Sequence, residues 1–195
     1  MNQRMTSGIV FLGDSITARK HGFADILSDI IPNCENYAVS GYSSEDLLHQ
    51  LRNNSKEIGK FNYSITMIGT NDAEKEDVNS YLIFRRNFDL IVTELFKSSL
   101  KKQFYLTIPP IIYDDKYQTP VSLINDTKRK KEGVMPLYNH VIDVASTVFK
   151  TRKGRGKSTD KHISRLFDSD GFHPNQKAHN KIALEILSHD SLNVL

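Results

Sequence analysis

Cysteine is almost absent: Cys34 is the single one in 195 residues. One thiol closes no intramolecular disulfide and builds no cysteine-rich zinc site, so the fold must rest on its core. Cys34 itself reads as a small buried or half-buried apolar group. No run approaches the ~18 apolar residues that a membrane span needs. The first eight residues are polar and lack the apolar stretch of a secretory leader. These absences give the expectation of a cytoplasmic chain without a membrane span. A large excess of one charge is also missing: 26 Lys and Arg against 23 Asp and Glu leave +3, too little to call for a nucleic-acid partner. Internal repeats and low-complexity linkers are absent as well.

What is present is ordinary globular material. Apolar residues at 38% and charged residues at 25% exclude disordered and fibrous classes. A chain of this size buries roughly 70% of its unfolded surface, so one domain over 1–195 is expected. Ile9-Val10-Phe11-Leu12 is a continuous apolar run ending at Gly13, the pattern of a strand buried on both faces. Tyr37-Ala38-Val39, Ser64-Ile65-Thr66-Met67-Ile68 and Phe104-Tyr105-Leu106-Thr107-Ile108 predict three more strands, and Thr147-Val148-Phe149 a fifth. Between them lie helical patterns. Ser43 with Asp46 predicts an N-cap ahead of Leu47, Leu48 and Leu51. Over 77–98, Val78, Tyr81, Phe84, Phe88, Ile91, Val92 and Leu95 keep helical spacing. A shorter helix is expected over 135–145. Another comes after Pro174, with Ala178, Ile182 and Ile186 on one face and Pro174 near its first turn. Alternating strands and helices predict an α/β fold, a parallel sheet with helices on both faces.

In such sheets ligands bind beyond the carboxyl ends of the strands. The segments there are Gly13-Asp14-Ser15, Ser40-Gly41 and Gly69-Thr70-Asn71-Asp72. A fourth polar cluster, 168–175, precedes the last helix. Ser15 succeeds a buried strand and opens a helix, which exposes its hydroxyl beside main-chain N–H groups. His173 lies three residues after Asp170, so the carboxylate can hold the imidazole if that turn is helical. Taken singly, a serine in this place is usually a helix cap, Asp-x-x-His a surface hydrogen bond and Asn71 a turn former. Together they fill a set of roles. Acyl transfer needs a nucleophile (Ser15), a base (His173), an orienter (Asp170) and donors to an oxyanion, here Ser15 N–H, Gly41 N–H and the Asn71 amide. Gly41 has a physical reason to be glycine, because its backbone must approach the reacting carbonyl oxygen.

The blocks Gly13-Asp14-Ser15-Ile16-Thr17, Asn36-Tyr37-Ala38-Val39-Ser40-Gly41, Gly69-Thr70-Asn71-Asp72 and Asp170-Gly171-Phe172-His173-Pro174-Asn175 resemble those of the SGNH hydrolase superfamily, the GDSL esterases and lipases. They stand in that family's order and span nearly the whole chain. Pro109-Pro110 and Tyr138-Asn139 are similar to further family features. The resemblance implies a three-layer α/β/α sandwich with a five-stranded parallel sheet, flavodoxin-like in topology. It also implies a serine hydrolase with an oxyanion hole from Ser15, Gly41 and Asn71, and with neither metal nor organic cofactor. The α/β-hydrolase elbow fits less well, since Thr17 stands where Gly-x-Ser-x-Gly requires glycine.

Two other classes compete with this one. Asp14, Asn71, Asp72, Asp170 and His173 could ligate a metal for phosphoester hydrolysis, but that leaves Ser15 without a role. A non-catalytic carbohydrate-binding scaffold is opposed by an intact Ser15, Asp170 and His173. The expected substrate is a small-molecule or carbohydrate-borne O-acyl ester. Candidate contacts are Asp14, Tyr42, Tyr113 and Tyr117, the last two offering flat faces to a sugar ring. Tyr113 and Tyr117 fall in a long connection, 111–135, which also carries the basic run Lys128 to Lys131 and reads either as a specificity loop or as an excursion with its own helix. The basic stretch 151–165 reads as a solvated loop rather than a polyanion site, as no aromatic residue interleaves its charges. The histidines at 21, 49, 140, 162, 179 and 189 are expected on surfaces or helix faces.

Overall fold

The computed structural model describes residues 8–75, 77–98, 100–132, 139–151 and 161–192. Its five strands are β1 (Ile9–Gly13), β2 (Cys34–Asn36), β3 (Tyr63–Met67), β4 (Lys102–Leu106) and β5 (Asn139–Ile142). They form one sheet in the order β2-β1-β3-β4-β5, every pair parallel. Every residue of β1 and β3 is buried, as expected for central strands covered on both faces. β2 is short, but the chain keeps pairing beyond it: Tyr37 N–H donates to Phe11 C=O at 2.9 Å and Val39 N–H to Gly13 C=O at 3.1 Å. The expected strand over 37–39 is therefore the frayed continuation of an edge strand.

The helices, in chain order, are α1 (Ser15–Ala18), α2 (Phe23–Ser28), α3 (Ser44–Asn53), α4 (Ser55–Ile58), α5 (Thr70–Glu74), α6 (Val78–Lys97), α7 (Gln118–Arg129), α8 (Val144–Thr147), α9 (Lys161–Ser164) and α10 (Gln176–Leu187). α3, α6 and α7 pack in one layer, and α2, α8 and α10 in the other, as right-handed crossovers in this strand order require. Ser43 and Asp46 form the expected capping box on α3. Phe84, Phe88, Ile91 and Leu95 of α6 are fully buried, whereas Val78 in its first turn is 74% exposed. Pro174 precedes the α10 N-cap, Asn175, rather than entering the helix.

Three expectations need correction. The fifth strand is 139–142, not 147–149. As an edge strand it carries Asn139 and His140 and shows little apolar run. The helix expected over 135–145 is β5 with α8 after it; residues 133–138, with Tyr138 of the Tyr138-Asn139 pair, lie outside the described residues. His179 is buried, not on a surface: its Nδ1 accepts from Phe23 N–H at 3.1 Å and its ring stacks on Phe23. Burial pushes its pKa down to about 4, which keeps the ring neutral and the acceptor available. Of the basic stretch, 152–160 lie outside the described residues, and 161–164 form α9. Among the described residues no helix is long and apolar enough to cross a membrane.

The far end of the sheet is locked by Asp143. Its carboxylate caps α8 and takes both Nε and Nη2 of Arg129 at 2.9 Å, while the Thr107 hydroxyl after β4 donates at 3.0 Å. Half-burial pushes this carboxyl upward, but the guanidinium and hydroxyl donors outweigh that and hold it below the ordinary carboxylate range. A lowered folded-state pKa favours the ionised form in the fold. The contribution is thus full above the ordinary carboxyl pKa of ~4 and is lost as pH falls through the lowered value. Asp143→Asn turns a donor toward Arg129 and should cost about 1–3 kcal/mol at pH 7. Urea midpoints at pH 7 and in acid check this: the difference from wild type should shrink in acid, and an unchanged difference would refute the electrostatic account.

Candidate active site

The strand order changes direction at β1 and β3, the place where flavodoxin-like sheets open a crevice. Gly13 ends β1 at φ +153°, and a Cβ there would sit 2.1 Å from the Met67 carbonyl oxygen, so only glycine lets the chain leave β1 beside β3. Asp14 then caps α1, its Oδ1 accepting from Ile16 N–H at 3.1 Å, and Ser15 becomes the first helical residue. After β2, the chain turns at Gly41 with φ +83°, and a Cβ there would meet nothing within 4 Å: the missing side chain faces the open crevice. After β3, Gly69 at φ +116° starts α5 and presents Asn71. Asn71 Nδ2 donates to Tyr42 C=O at 2.8 Å, which fixes its amide against the Gly41 loop. Among the described residues the main-chain N–H groups of Ser15 and Gly41 find no acceptor within the protein.

The fourth cluster arrives from the other end of the chain. Asp170 Oδ1 accepts the main-chain N–H groups of Phe172 (2.8 Å) and His173 (2.9 Å), and its Oδ2 lies 2.7 Å from His173 Nδ1. This is a side-chain-closed turn, not the helical turn that the spacing suggests. An ionised carboxylate only accepts, so Nδ1 carries the proton and Nε2 is left as the acceptor. Nε2 stands 3.1 Å from Ser15 Oγ. The slight burial of Asp170 pushes its carboxyl up, but the ring and main-chain donors outweigh it and leave it below the ordinary carboxylate range. Arg19, one residue past α1, ties the two ends together by donating Nη1 to Asp168 Oδ2 at 2.5 Å and to Pro174 C=O at 3.0 Å. Asn175 Nδ2 adds bonds to Arg165 and Phe167 carbonyls.

Ser15, Gly41, Asn71, Asp170 and His173 line one open cleft of about 450 Å³, together with Tyr113, with Ser40 and Phe172 of the same blocks, and with one residue not expected there, Glu74. Tyr113 OH donates to Glu74 Oε1 at 3.1 Å, and its ring lies 6.2 Å from that of Phe172. Two expected substrate contacts are corrected. Asp14 is fully buried, where burial raises its pKa to about 6 against the pull of Ile16 N–H, Thr70 and, more weakly, Lys128; its place is beneath the turn rather than on the cleft surface. Tyr117 is 5% exposed and packs behind Tyr113 with ring centres 5.0 Å apart. Tyr42 is half-buried and contributes its carbonyl to Asn71. The connection 111–135 contains the twelve-residue α7, and Lys128 points into the protein, not out of a basic run. Arg19, and the part played by Asn175 within its block, escape a reading of sequence patterns. Arg19 acts through residues about 150 positions away, and Asn175 through carbonyls set by the fold of the turn before it.

The GDSL-like lipase/acylhydrolase family matches this chain over residues 9–186. The chain belongs to that family. This GDSL acylhydrolase is similar in structure to a lipolytic protein of the G-D-S-L family from Veillonella parvula, with a TM-score of 0.76 at 18% identity over 95% of this chain and 99% of that one. It is similar to a lipase/acylhydrolase from Enterococcus faecalis, with a TM-score of 0.75 at 20% identity over 93% and 94%. It is also similar to the psychrotrophic esterase EstA from Pseudoalteromonas, a structure inhibited by monoethylphosphonate, with a TM-score of 0.71 at 16% identity over 97% and 99%. Among curated proteins no sequence matches. The GDSL acylhydrolase is accordingly a serine-type ester hydrolase with the flavodoxin-like α/β/α fold.

Proposed function

We propose that this protein hydrolyses short-chain O-acyl esters, acetyl esters above all, with Ser15 as nucleophile, His173 as base and Asp170 as its orienter. The observation that carries the reading is the unbroken chain Ser15 Oγ, His173 Nε2, His173 Nδ1, Asp170 Oδ2 at 3.1 and 2.7 Å on the floor of an open cleft. Ser15 Oγ attacks the ester carbonyl carbon while Nε2 takes its proton. The carbonyl oxygen, now negative, turns toward Ser15 N–H, Gly41 N–H and the Asn71 amide. His173 then gives its proton to the leaving alcohol, and the acyl-serine is hydrolysed by a water whose proton His173 removes. The metal reading loses its ligands on geometry: Asp14 and Asp72 are buried and directed onto Ile16 and Ser44, away from His173.

Substrate class is argued from the wall of the cleft. Tyr113 and Phe172 present aromatic surface beside the Glu74 carboxylate, a pairing suited to the apolar face and hydroxyls of a sugar ring. The cleft is open to solvent, and this favours an ester carried on a larger carbohydrate.

An ester panel varying acyl length and alcohol, run on wild type and Ser15→Ala, tests the assignment. Ser15→Ala should fold normally and retain less than about 1% of activity; more would remove Ser15 as the nucleophile. Asn71→Ala should lower kcat by ~100- to 1,000-fold, about 3–4 kcal/mol, with KM little changed. An effect confined to KM would make Asn71 a ground-state contact. For the carbohydrate reading, Tyr113→Ala should raise KM for an acetylated oligosaccharide about tenfold, the loss of one stacked ring, and leave hydrolysis of a small aryl acetate intact. Proportional losses on both substrates would refute it.

A further inference from the structure

Asp170 and His173 stand at the tip of a small hairpin. Asn175 N–H donates to Leu166 C=O and Asp168 N–H to His173 C=O, both at 2.9 Å, and Phe167 bridges Pro174 in antiparallel fashion between these rungs. The hairpin is seated in the core at its base, where Leu166 and Phe167 are buried and the Phe167 ring lies 5.3 Å from that of Phe149. At its tip, Ile112 N–H, from the connection after β4, donates to Gly171 C=O at 3.0 Å. Neither anchor reaches the segment after β1 that carries Ser15.

On that side the tether is Arg19. Among the described residues, the hydrogen bonds joining 15–19 to 166–175 are the Ser15–His173 contact itself and two from Arg19. Farther along the chain, His21 C=O accepts from Gln176 of α10, outside the hairpin. Arg19 stands one helical turn after Ser15. Its Nη1 donates to Asp168 Oδ2 on one arm of the hairpin and to Pro174 C=O on the other. A single nitrogen thus grips both arms just behind the turn that holds the imidazole. Without it, the bond left between serine and hairpin is the 3.1 Å contact that must break and re-form in every turnover. Arg19 does not line the cleft. Its side chain is 31% exposed and that of Asp168 37%, and ion pairs this open to water add little to stability. Placement of a base tolerates far less: a misplacement of about 1 Å can cost ~100-fold in rate.

We propose that Arg19 is a positioning residue of the hydrolytic centre: by clasping Asp168 and Pro174 it registers the hairpin that carries His173 against the helix that begins at Ser15, and so sets the distance between base and nucleophile. It touches no substrate. The inference rests on the reading of Ser15 as nucleophile and His173 as base. The bonds from Asp170 to the turn lie within the hairpin, so loss of the clasp leaves the imidazole correctly held and wrongly placed. The cost then falls on proton transfer from Ser15, whatever ester is bound.

The experiment measures kcat/KM on an aryl acetate and an aryl butyrate, and the rate of Ser15 labelling by a fluorophosphonate, in wild type, Arg19→Met and Arg19→Lys, with thermal midpoints alongside. Methionine keeps the apolar stem and loses the donor, whereas the lysine nitrogen can still bridge two acceptors. Arg19→Met should lower labelling and both kcat/KM values by the same factor, roughly 10- to 100-fold, while the midpoint falls by less than about 4 °C. Arg19→Lys should recover at least about threefold of the lost rate. Wild-type rates in Arg19→Met, a loss confined to one substrate, a midpoint lowered by about 10 °C or more, or no recovery with lysine would overturn the proposal. If Arg19→Met does not fold by circular dichroism, Asp168→Asn decides, since it removes the charge of the partner and keeps an acceptor: a folded chain labelled at least about threefold more slowly supports the clasp, and wild-type labelling refutes it. Failure of the wild type to label is a separate result: it removes the nucleophile reading, and the proposal with it.

Discussion

The parallel pairing of β1 between β2 and β3 is the constraint on which the site depends. Parallel strands end on the same edge, and neighbours are ~4.8 Å apart. The three loops leaving those strands therefore emerge side by side, and they carry Ser15, Gly41 and Asn71 in adjacent places. The spacing between the proposed nucleophile and its proposed oxyanion donors is thus a property of the sheet. Gly13 makes this explicit, since its contact with the Met67 carbonyl leaves no room for a side chain between the two central strands.

Charge is handled differently above and below this edge. Asp170 and His173 are partly open to solvent, and their geometry is imposed by short-range bonds within a single turn. Asp14, Asp72 and Lys128 are sealed under the edge, where charge interactions are little screened. The exposed pair can respond to substrate, while the sealed groups are fixed by their own local hydrogen bonds.

Much of this is legible in the sequence because it is local. The apolar run of β1, the capping box at Ser43 and Asp46, and the buried stripe of α6 each depend on neighbours within a turn or two. The cleft residues Ser15, Gly41, Asn71, Asp170 and His173 are legible because each succeeds a strand end or stands in a short polar block. The features that escape are set by distant contacts. β5 lies at an edge and needs no alternating apolar pattern. His179 is buried because Phe23, over 150 residues away, offers it a main-chain N–H. Lys128 looks like part of a basic surface run, and Asp14 like a ligand contact, since nothing in a linear pattern tells that either side chain is buried. Tyr117 pairs with Tyr113 in the sequence, although the turn between them sends one ring into the core and the other to the cleft wall.

Arg19 and the segment it clasps have a consequence for the order of events during synthesis. The clasp spans from Arg19 to Asp168 and Pro174, close to the two ends of the matched region. All five strands lie before residue 143, but the helical layer of α2, α8 and α10 closes only when the C-terminal helix has arrived, so the segment that brings His173 is also the one that completes the core. Until that segment emerges from the ribosome and docks, Ser15 has no base beside it. A premature stop between the last strand and the clasp would leave that serine without a base and one face of the sheet without α10.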